Sequence, residues 1–139
     1  MNANAWLSVI GVGEDGLNGL NAAARERLAQ ASLIVGGARH LALIGESRAE
    51  RMVWPAPQQD AFPRILARRG QPVCVLASSD PFFYGVGSLL AQIAPAQEMA
   101  CWTQPSAFSL AAARLGWALQ DCALLTLHGR ALDRIVPHL

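Results

Sequence analysis

The sequence contains no lysine, since all 11 of its basic residues are arginine. Reactions that need a lysine amine are thereby excluded: Schiff-base chemistry, a pyridoxal anchor and the phosphate-binding lysine of a P-loop. Charge of either sign is scarce. Only 15% of the 139 residues are charged and 53% are hydrophobic, where an ordinary soluble domain carries about 25% charge. A net charge of +1 and a pI of 7.8 leave no concentrated basic face, so nucleic acid is disfavoured as a partner. The nearest thing to a basic patch is Arg64, Arg68 and Arg69, with Arg48 and Arg51 upstream, and it reads as a solvated helix face. The three cysteines, Cys74, Cys101 and Cys122, form no C-x-x-C pair. They point to small core residues rather than a disulfide framework or a zinc site. His40, His128 and His138 have no carboxylate or cysteine at ligand-like spacing, so no metal is expected. No apolar run reaches the ~18 residues of a membrane helix, Arg114 interrupting the longest. The first six residues lack the basic segment of a secretory signal, and a cytoplasmic protein without membrane contact is expected.

What is present alternates between strand and helix patterns. Trp6–Ile10 is a short apolar run that stops at the glycine-rich segment Gly11–Gly16, as a central parallel strand does. Asn21 can cap a helix over Ala22–Gln30; Leu33–Val35 reads as a second strand closed by Gly36 and Gly37; Ala38–Ile44 reads as a short helix. Met52–Trp54 is a short strand stopped by prolines, and Asp60 can open a helix that ends before Gly70. Val73–Ala77 is β-branched and apolar on both faces, as a strand covered by helices on both sides should be. A helix over Val86–Ile93, a strand over Met99–Trp102, a helix over Ala107–Leu115 stopped by Gly116, and a strand over Ala123–Leu127 follow. The order predicts an α/β fold with a mainly parallel sheet flanked by helices. A linker falls at Gly116–Asp121, which divides the chain into residues 1–116 and 117–139.

Three segments carry chemical interest. Gly11-x-Gly13-x-x-Gly16 has dinucleotide-fingerprint spacing, but the second strand ends in Gly36-Gly37-Ala38-Arg39 without the acid that holds a ribose. Leu17–Leu20 also separate the glycines from the helix pattern, whereas a pyrophosphate site needs the helix to start inside the motif. A tight glycine turn without a ligand remains an alternative. Ser78-Ser79-Asp80-Pro81-Phe82-Phe83-Tyr84-Gly85 follows a buried strand at its carboxyl end, where open α/β sheets bind ligands. It holds the only tyrosine and two of the four phenylalanines; the rings can wall a flat ligand or simply fill the core. Finally, Gln104–Gly116 sets small residues at a helix start, which suits backbone contact with a ligand or plain close packing.

Taken in order, GVGEDG, ASSDPFFYG and PSAFSLAAARLG, with LIVGGARHL between the first two and LHGR after the third, resemble the tetrapyrrole methylase family, and within it the branch that methylates C5 of a precorrin in cobalamin biosynthesis. The likeness covers nearly the whole chain. It implies S-adenosylmethionine as methyl donor, a tetrapyrrole (precorrin) as substrate, and two α/β domains with the donor in the cleft between them. Residues 1–116 would be the amino-terminal domain and 117–139 a linker and the start of a truncated second one. A homodimer is expected, with a second domain carboxyl-terminal to this chain. The matching positions place cofactor contacts at Glu14, Ser78, Ser79, Asp80, Phe83, Ser106 and Ala107, and substrate contacts at Tyr84, His128 and Arg130. Two departures stand out. Glu14 and Asp15 replace the proline and glycine usual in the first loop, and Ser79 replaces the glycine before Asp80; a side chain there narrows the backbone approach a glycine allows.

The reaction implied is direct methyl transfer from a sulfonium to a nucleophilic carbon of the macrocycle, in which the enzyme mainly aligns two reactants and excludes water. No catalytic nucleophile is expected. Arg39, Arg130 or the Arg64–Arg69 group could pair with the substrate carboxylates. The competing readings are an RNA methylase of the same fold, a non-catalytic assembly module with an uncovered strand edge, and more remotely a nicotinamide-binding half-domain. A chain this short would enclose the cofactor incompletely, so weak or absent activity in isolation is expected.

Overall fold

The computed structural model describes residues 4–139. It divides into two compact units, Met1–Gln104 and Pro105–Leu139.

The first unit is an α/β layer with a five-stranded, wholly parallel sheet. In chain order its elements are β1 (Leu7–Val12), α1 (Ala22–Gln30), β2 (Leu33–Gly36), α2 (Ala38–Leu43), β3 (Glu50–Val53), α3 (Phe62–Leu66), β4 (Val73–Ser78), α4 (Val86–Leu90) and β5 (Met99–Trp102). The strand order is β3-β2-β4-β1-β5. Leu7 pairs with Val73 on one side and Met99 on the other, and Leu33 pairs with both Val73 and Glu50. Because side chains alternate along a strand, the sheet builds two cores. Leu7, Val9, Leu33, Val35, Val73 and Val75 pack with Phe62, Ile65 and Leu90 of α3 and α4. Ile10, Val12, Ile34, Cys74 and Leu76 face Ala24, Leu28 and Leu41 of α1 and α2.

Local chemistry explains most element ends. The Asn21 side chain accepts a hydrogen bond from the Ala24 N–H at 2.9 Å, and α1 buries Ala24 and Leu28 at i, i+4 spacing. Asp60, expected to open a helix, instead lies in a 3-10 turn over Gln58–Ala61, and α3 begins at Phe62. The chain already turns from Gln58, so Asp60 lies within that turn rather than at its start, and Pro63 falls in the first turn of α3, where its missing N–H costs no hydrogen bond. The same segment ends at Leu66, and turns carry the chain on to Gly70. α4 stops at Leu90 rather than Ile93, three turn residues leading to Ala94 and Pro95.

At the amino ends of the strands, scarce charges tie elements together. Trp6 Nε1 donates to Glu98 Oε2 at 2.7 Å, Arg69 pairs with the same carboxylate, and Arg68 pairs with Glu50 at the start of β3. The Arg69 guanidinium and then the Trp6 indole hold the Glu98 carboxyl below the usual range. Their contribution is present above the ordinary glutamate pKa and lost on acidification. Arg68 and Arg69 are therefore structural partners of acids at this end of the sheet rather than a free basic face. Behind β1, the Arg27 guanidinium donates to the Ala5 carbonyl at 2.6 Å and lies 5.6 Å from the centre of the Trp102 ring.

The second unit contains α5 (Ala107–Leu115), capped by Ser106, whose Oγ accepts from the Ser109 N–H at 3.1 Å. Gly116 closes the helix with a left-handed φ of 70°. The strand expected over Ala123–Leu127 is not formed; these residues join no ladder. Their composition favours extended backbone, but a strand also requires a neighbour to exchange hydrogen bonds with, and none lies beside them among the described residues. Two 3-10 segments, Leu119–Asp121 and Leu132–His138, complete the unit. No helix among the described residues is long and apolar enough to cross a membrane, and no group of three metal-ligating side chains occurs among them.

Ile65 is fully buried between α3 and the sheet. Ile65→Ala is expected to lower unfolding free energy by about 3 kcal/mol, read from the urea midpoint.

Candidate functional site

The carboxyl ends of β1, β4 and β5 meet at one place. β1 leads into Gly13, whose missing side chain faces open space, and the Gly16 N–H returns to the Gly13 carbonyl at 3.1 Å. Gly16 has a φ of +55°, and a β-carbon there would stand 2.7 Å from the Leu43 carbonyl oxygen. A 3-10 turn over Gly16–Gly19 follows, and α1 starts only at Ala22. The glycines thus do not open a helix, and the phosphate cradle of a dinucleotide fold is absent from this turn.

β4 ends in Ser78, and Ser79 takes a left-handed φ of 53°. That turn lets Ser79 N–H donate to the Val12 carbonyl at 3.2 Å, while the Ser79 carbonyl accepts from Gln104 N–H at 2.9 Å. The Gln104 amide in turn donates to the Gly19 carbonyl at 3.0 Å. Gly11 makes this arrangement possible, since a β-carbon there would lie 1.9 Å from the Ser79 carbonyl oxygen.

Asp80 serves its own loop. Its Oδ1 accepts from Phe82 N–H at 3.0 Å and its carbonyl from Phe83 N–H at 3.2 Å, the Asx-turn geometry that suits Asp before a chain reversal. The loop is pinned by fully buried Pro81, whose carbonyl accepts from Gly87 N–H at 2.8 Å. Burial first, and then the Asp80 charge, push the Cys101 thiol up to about 11. Burial alone raises Cys74 to about 12 against the opposing influence of Arg27, so neither thiol is a nucleophile near neutral pH. Of the aromatics, Phe82 and Tyr84 are 48% and 49% exposed, and Phe83 is half-buried with its ring 4.9 Å from that of Tyr84 in an edge-on contact. Phe82 therefore does not fill the core.

The first-loop acid Glu14 forms an exposed ion pair with Arg39 in the first turn of α2. Both side chains are largely in water, so the pair contributes little stability, but it commits each to the other. The next residue, His40, places Nε2 3.3 Å from Ser78 Oγ. Burial, then the Arg39 charge, hold the imidazole below its ordinary pKa, with Glu14 opposing. The neutral ring's contribution to stability is complete above the ordinary histidine pKa and declines as pH falls below it.

Of the sequence-predicted residues, Glu14, Ser78, Ser79 and Asp80 gather at the carboxyl ends of the strands, with Phe83 and Tyr84 in the loop that follows. In the second unit Ser106 and Ala107 begin α5, the Ser106 hydroxyl being used as its cap. His128 and Arg130 lie on an exposed turn, His128 N–H donating to Thr126 Oγ1 at 3.2 Å. Sequence reasoning missed His40. Its signal was available in position, because Gly37 starts α2 directly after β2 and so sets the first helical turn at the same end of the sheet. The collected groups include no activated nucleophile; they offer open backbone at Gly13, a hydroxyl at Ser78 and exposed ring faces, a donor set that fits a compact ligand with polar arms and a flat base.

Residues 7–137 match the family described as Tetrapyrrole (Corrin/Porphyrin) Methylases. A precorrin-6Y C(5,15)-methyltransferase [decarboxylating] from Sinorhizobium sp is 50% identical over 135 residues, which cover 96% of this chain and 33% of that protein. A cobalt-precorrin-7 C(5)-methyltransferase from Salmonella typhimurium is 33% identical over 91% of this chain and 63% of its own length. The crystal structure of a cobalamin biosynthesis precorrin-6Y methylase from Archaeoglobus fulgidus superimposes with a TM-score of 0.72 at 26% identity, covering 88% of this chain and 65% of that one. The chain spans about a third of the length of the first of these relatives.

Two substitutions at the strand ends should act in opposite directions. Gly11→Ala places a methyl group on the Ser79 carbonyl and is expected to cost at least about 3 kcal/mol in urea unfolding. Ser79→Gly relieves a left-handed φ and is expected to add about 0.5–1 kcal/mol, after the added entropy of the unfolded glycine chain.

Proposed function

The chain belongs to the tetrapyrrole methylase family, and from that premise we propose that it is part of an S-adenosylmethionine-dependent C-methyltransferase that methylates C5 of a precorrin in cobalamin biosynthesis. The observation that carries the proposal is the gathering of Glu14, Ser78, Ser79 and Asp80 at one end of a parallel sheet, in a chain half identical to a relative named for precorrin methylation. The RNA-methylase and assembly-module readings have no comparable support.

When bound, S-adenosylmethionine would supply a methyl group already activated on a sulfonium. The protein's work is then alignment and exclusion of water, and well-oriented reactants can lower a barrier by roughly 7–11 kcal/mol. Gly13 and the Ser78–Asp80 backbone would approach the donor closely, the Ser78 hydroxyl would hydrogen-bond one of its polar arms, and Phe83 would border it. The exposed Tyr84 ring would face the macrocycle. Asp80 acts by holding the loop through the Phe82 and Phe83 amides. Ser106, Ala107, His128 and Arg130 are proposed contacts contributed by the second unit. Of the arginines considered for the substrate carboxylates, Arg39 is engaged by Glu14, and Arg68 and Arg69 pair with acids at the amino end of the sheet.

We further propose that residues 117–139 begin a second α/β domain completed carboxyl-terminally, and that the protein is a cytoplasmic homodimer. The greater length of the relatives supports the first of these. On its own the 139-residue chain is proposed to turn over weakly or not at all.

Isothermal titration of the intact protein with S-adenosylhomocysteine is expected to give a dissociation constant of ~1–100 µM, in the range common for enzyme ligands. Absence of binding at millimolar ligand would overturn the proposal.

A further inference from the structure

His40 stands between the two loops that shape the strand-end site. It lies in the first turn of α2, and its Nε2 meets the Ser78 hydroxyl at 3.3 Å across the carboxyl edge of the sheet. The charged groups acting on it are few. On its own helix Arg39 is adjacent, and from the turn after β1 Glu14 reaches across to pair with Arg39. β4 presents the uncharged Ser78. The Arg51 guanidinium of β3 is bound to the Leu41 and Gly45 carbonyls toward the far end of α2. The turn over Gly16–Gly19 carries no charged residue.

We propose that His40 is a positioning residue that also sets the charge of the site: as a neutral imidazole it holds the Ser78 hydroxyl, and as an imidazolium it opposes a cationic ligand. The inference rests on the methyl-donor reading above. Burial and Arg39 both disfavour the protonated ring, and Glu14, already engaged with Arg39, only partly offsets them. The ring is therefore neutral at neutral pH and gains its proton only below the ordinary histidine pKa.

Protonation has two effects at Ser78. A neutral ring can accept the hydroxyl proton and leave the Oγ lone pairs free for a ligand donor. An imidazolium can only donate, so it occupies one of those lone pairs and adds a positive charge in a partly desolvated site. A sulfonium feels that charge; the corresponding thioether does not. Linkage requires the reciprocal effect, a bound sulfonium lowering the His40 pKa further.

S-adenosylmethionine and S-adenosylhomocysteine provide the test, because they share their amino-acid and nucleoside parts and differ by a methyl group and the charge on sulfur. Titration calorimetry on the intact protein at about pH 8 and about pH 5.5 should show the preference for the thioether increasing roughly threefold or more at the lower pH, a modest Coulomb effect at partly screened distance. In His40→Gln, which keeps a neutral hydrogen-bonding side chain, both ligands should still bind and the ratio should no longer change with pH. As a measurement independent of that variant, the His40 ring resonances should titrate at lower pH with the sulfonium bound than with the thioether. A merely structural histidine would shift both affinities together. The proposal is overturned if the ratio is constant with pH in the unsubstituted protein, if His40→Gln retains the pH dependence, or if the His40 titration is the same with both ligands. Failure of both ligands to bind at either pH would instead overturn the methyl-donor reading, and this inference with it.

Discussion

At Gly11 the chain passes directly beneath the Ser79 carbonyl, where a β-carbon would stand 1.9 Å from the oxygen. That close approach lets the end of β4 cross toward β1, where the Ser79 N–H donates to the Val12 carbonyl and the Ser79 carbonyl accepts the Gln104 N–H beyond β5, so the backbone of one residue fastens three strand ends. The left-handed Ser79, the buried Pro81 and the Asp80 turn follow from the path the chain takes after the crossing. A side chain at Gly11 would displace the segment that carries Ser78, Ser79, Asp80, Phe83 and Tyr84. The glycine motif thus matters here for how closely two loops pass, rather than as a phosphate cradle.

The two ends of the sheet use charge differently. At the amino end, Arg68 and Arg69 neutralise Glu50 and Glu98, and Trp6 adds its indole N–H to Glu98; these groups bind the elements to one another. At the carboxyl end, Glu14, Arg39 and His40 sit beside a hydroxyl and open backbone, and under the proposal for His40 a single proton there changes which ligands the site favours.

Much of this organisation was legible in the residues. The bounds of α1 follow from the Asn21 cap and the Ala24–Leu28 spacing, β4 from its apolar, β-branched composition, and β5 from a short apolar run between turn residues. The Ser78–Asp80 segment could be placed because a loop at the carboxyl end of a buried strand is where such sheets bind ligands. What escaped depended on partners distant in sequence. His40 stands alone until the fold brings Ser78, 38 residues away, to its ring. Arg68 and Arg69 read as a solvated helix face until the fold brings Glu50 and Glu98 beside them. Ala123–Leu127 has strand composition, but composition cannot supply the neighbouring strand that a ladder needs. Phe82 was ambiguous for another reason: an apolar ring in a loop has no periodicity to say which way it faces, and here it faces outward.

The order of strands also has a consequence in time. Of the five strands β1 is synthesised before the others, yet its neighbours are β4 and β5, with Leu7 pairing to Val73 and Met99; β2, which follows it, lies against β3 and β4 instead. A nascent chain emerging from the ribosome therefore carries an apolar first strand without its partners until β4 has cleared the exit, and β4 is the piece that joins the early halves. Parallel pairing over such separations is slow, so during synthesis the unpaired edge of β1 calls for shelter of the kind a chaperone gives.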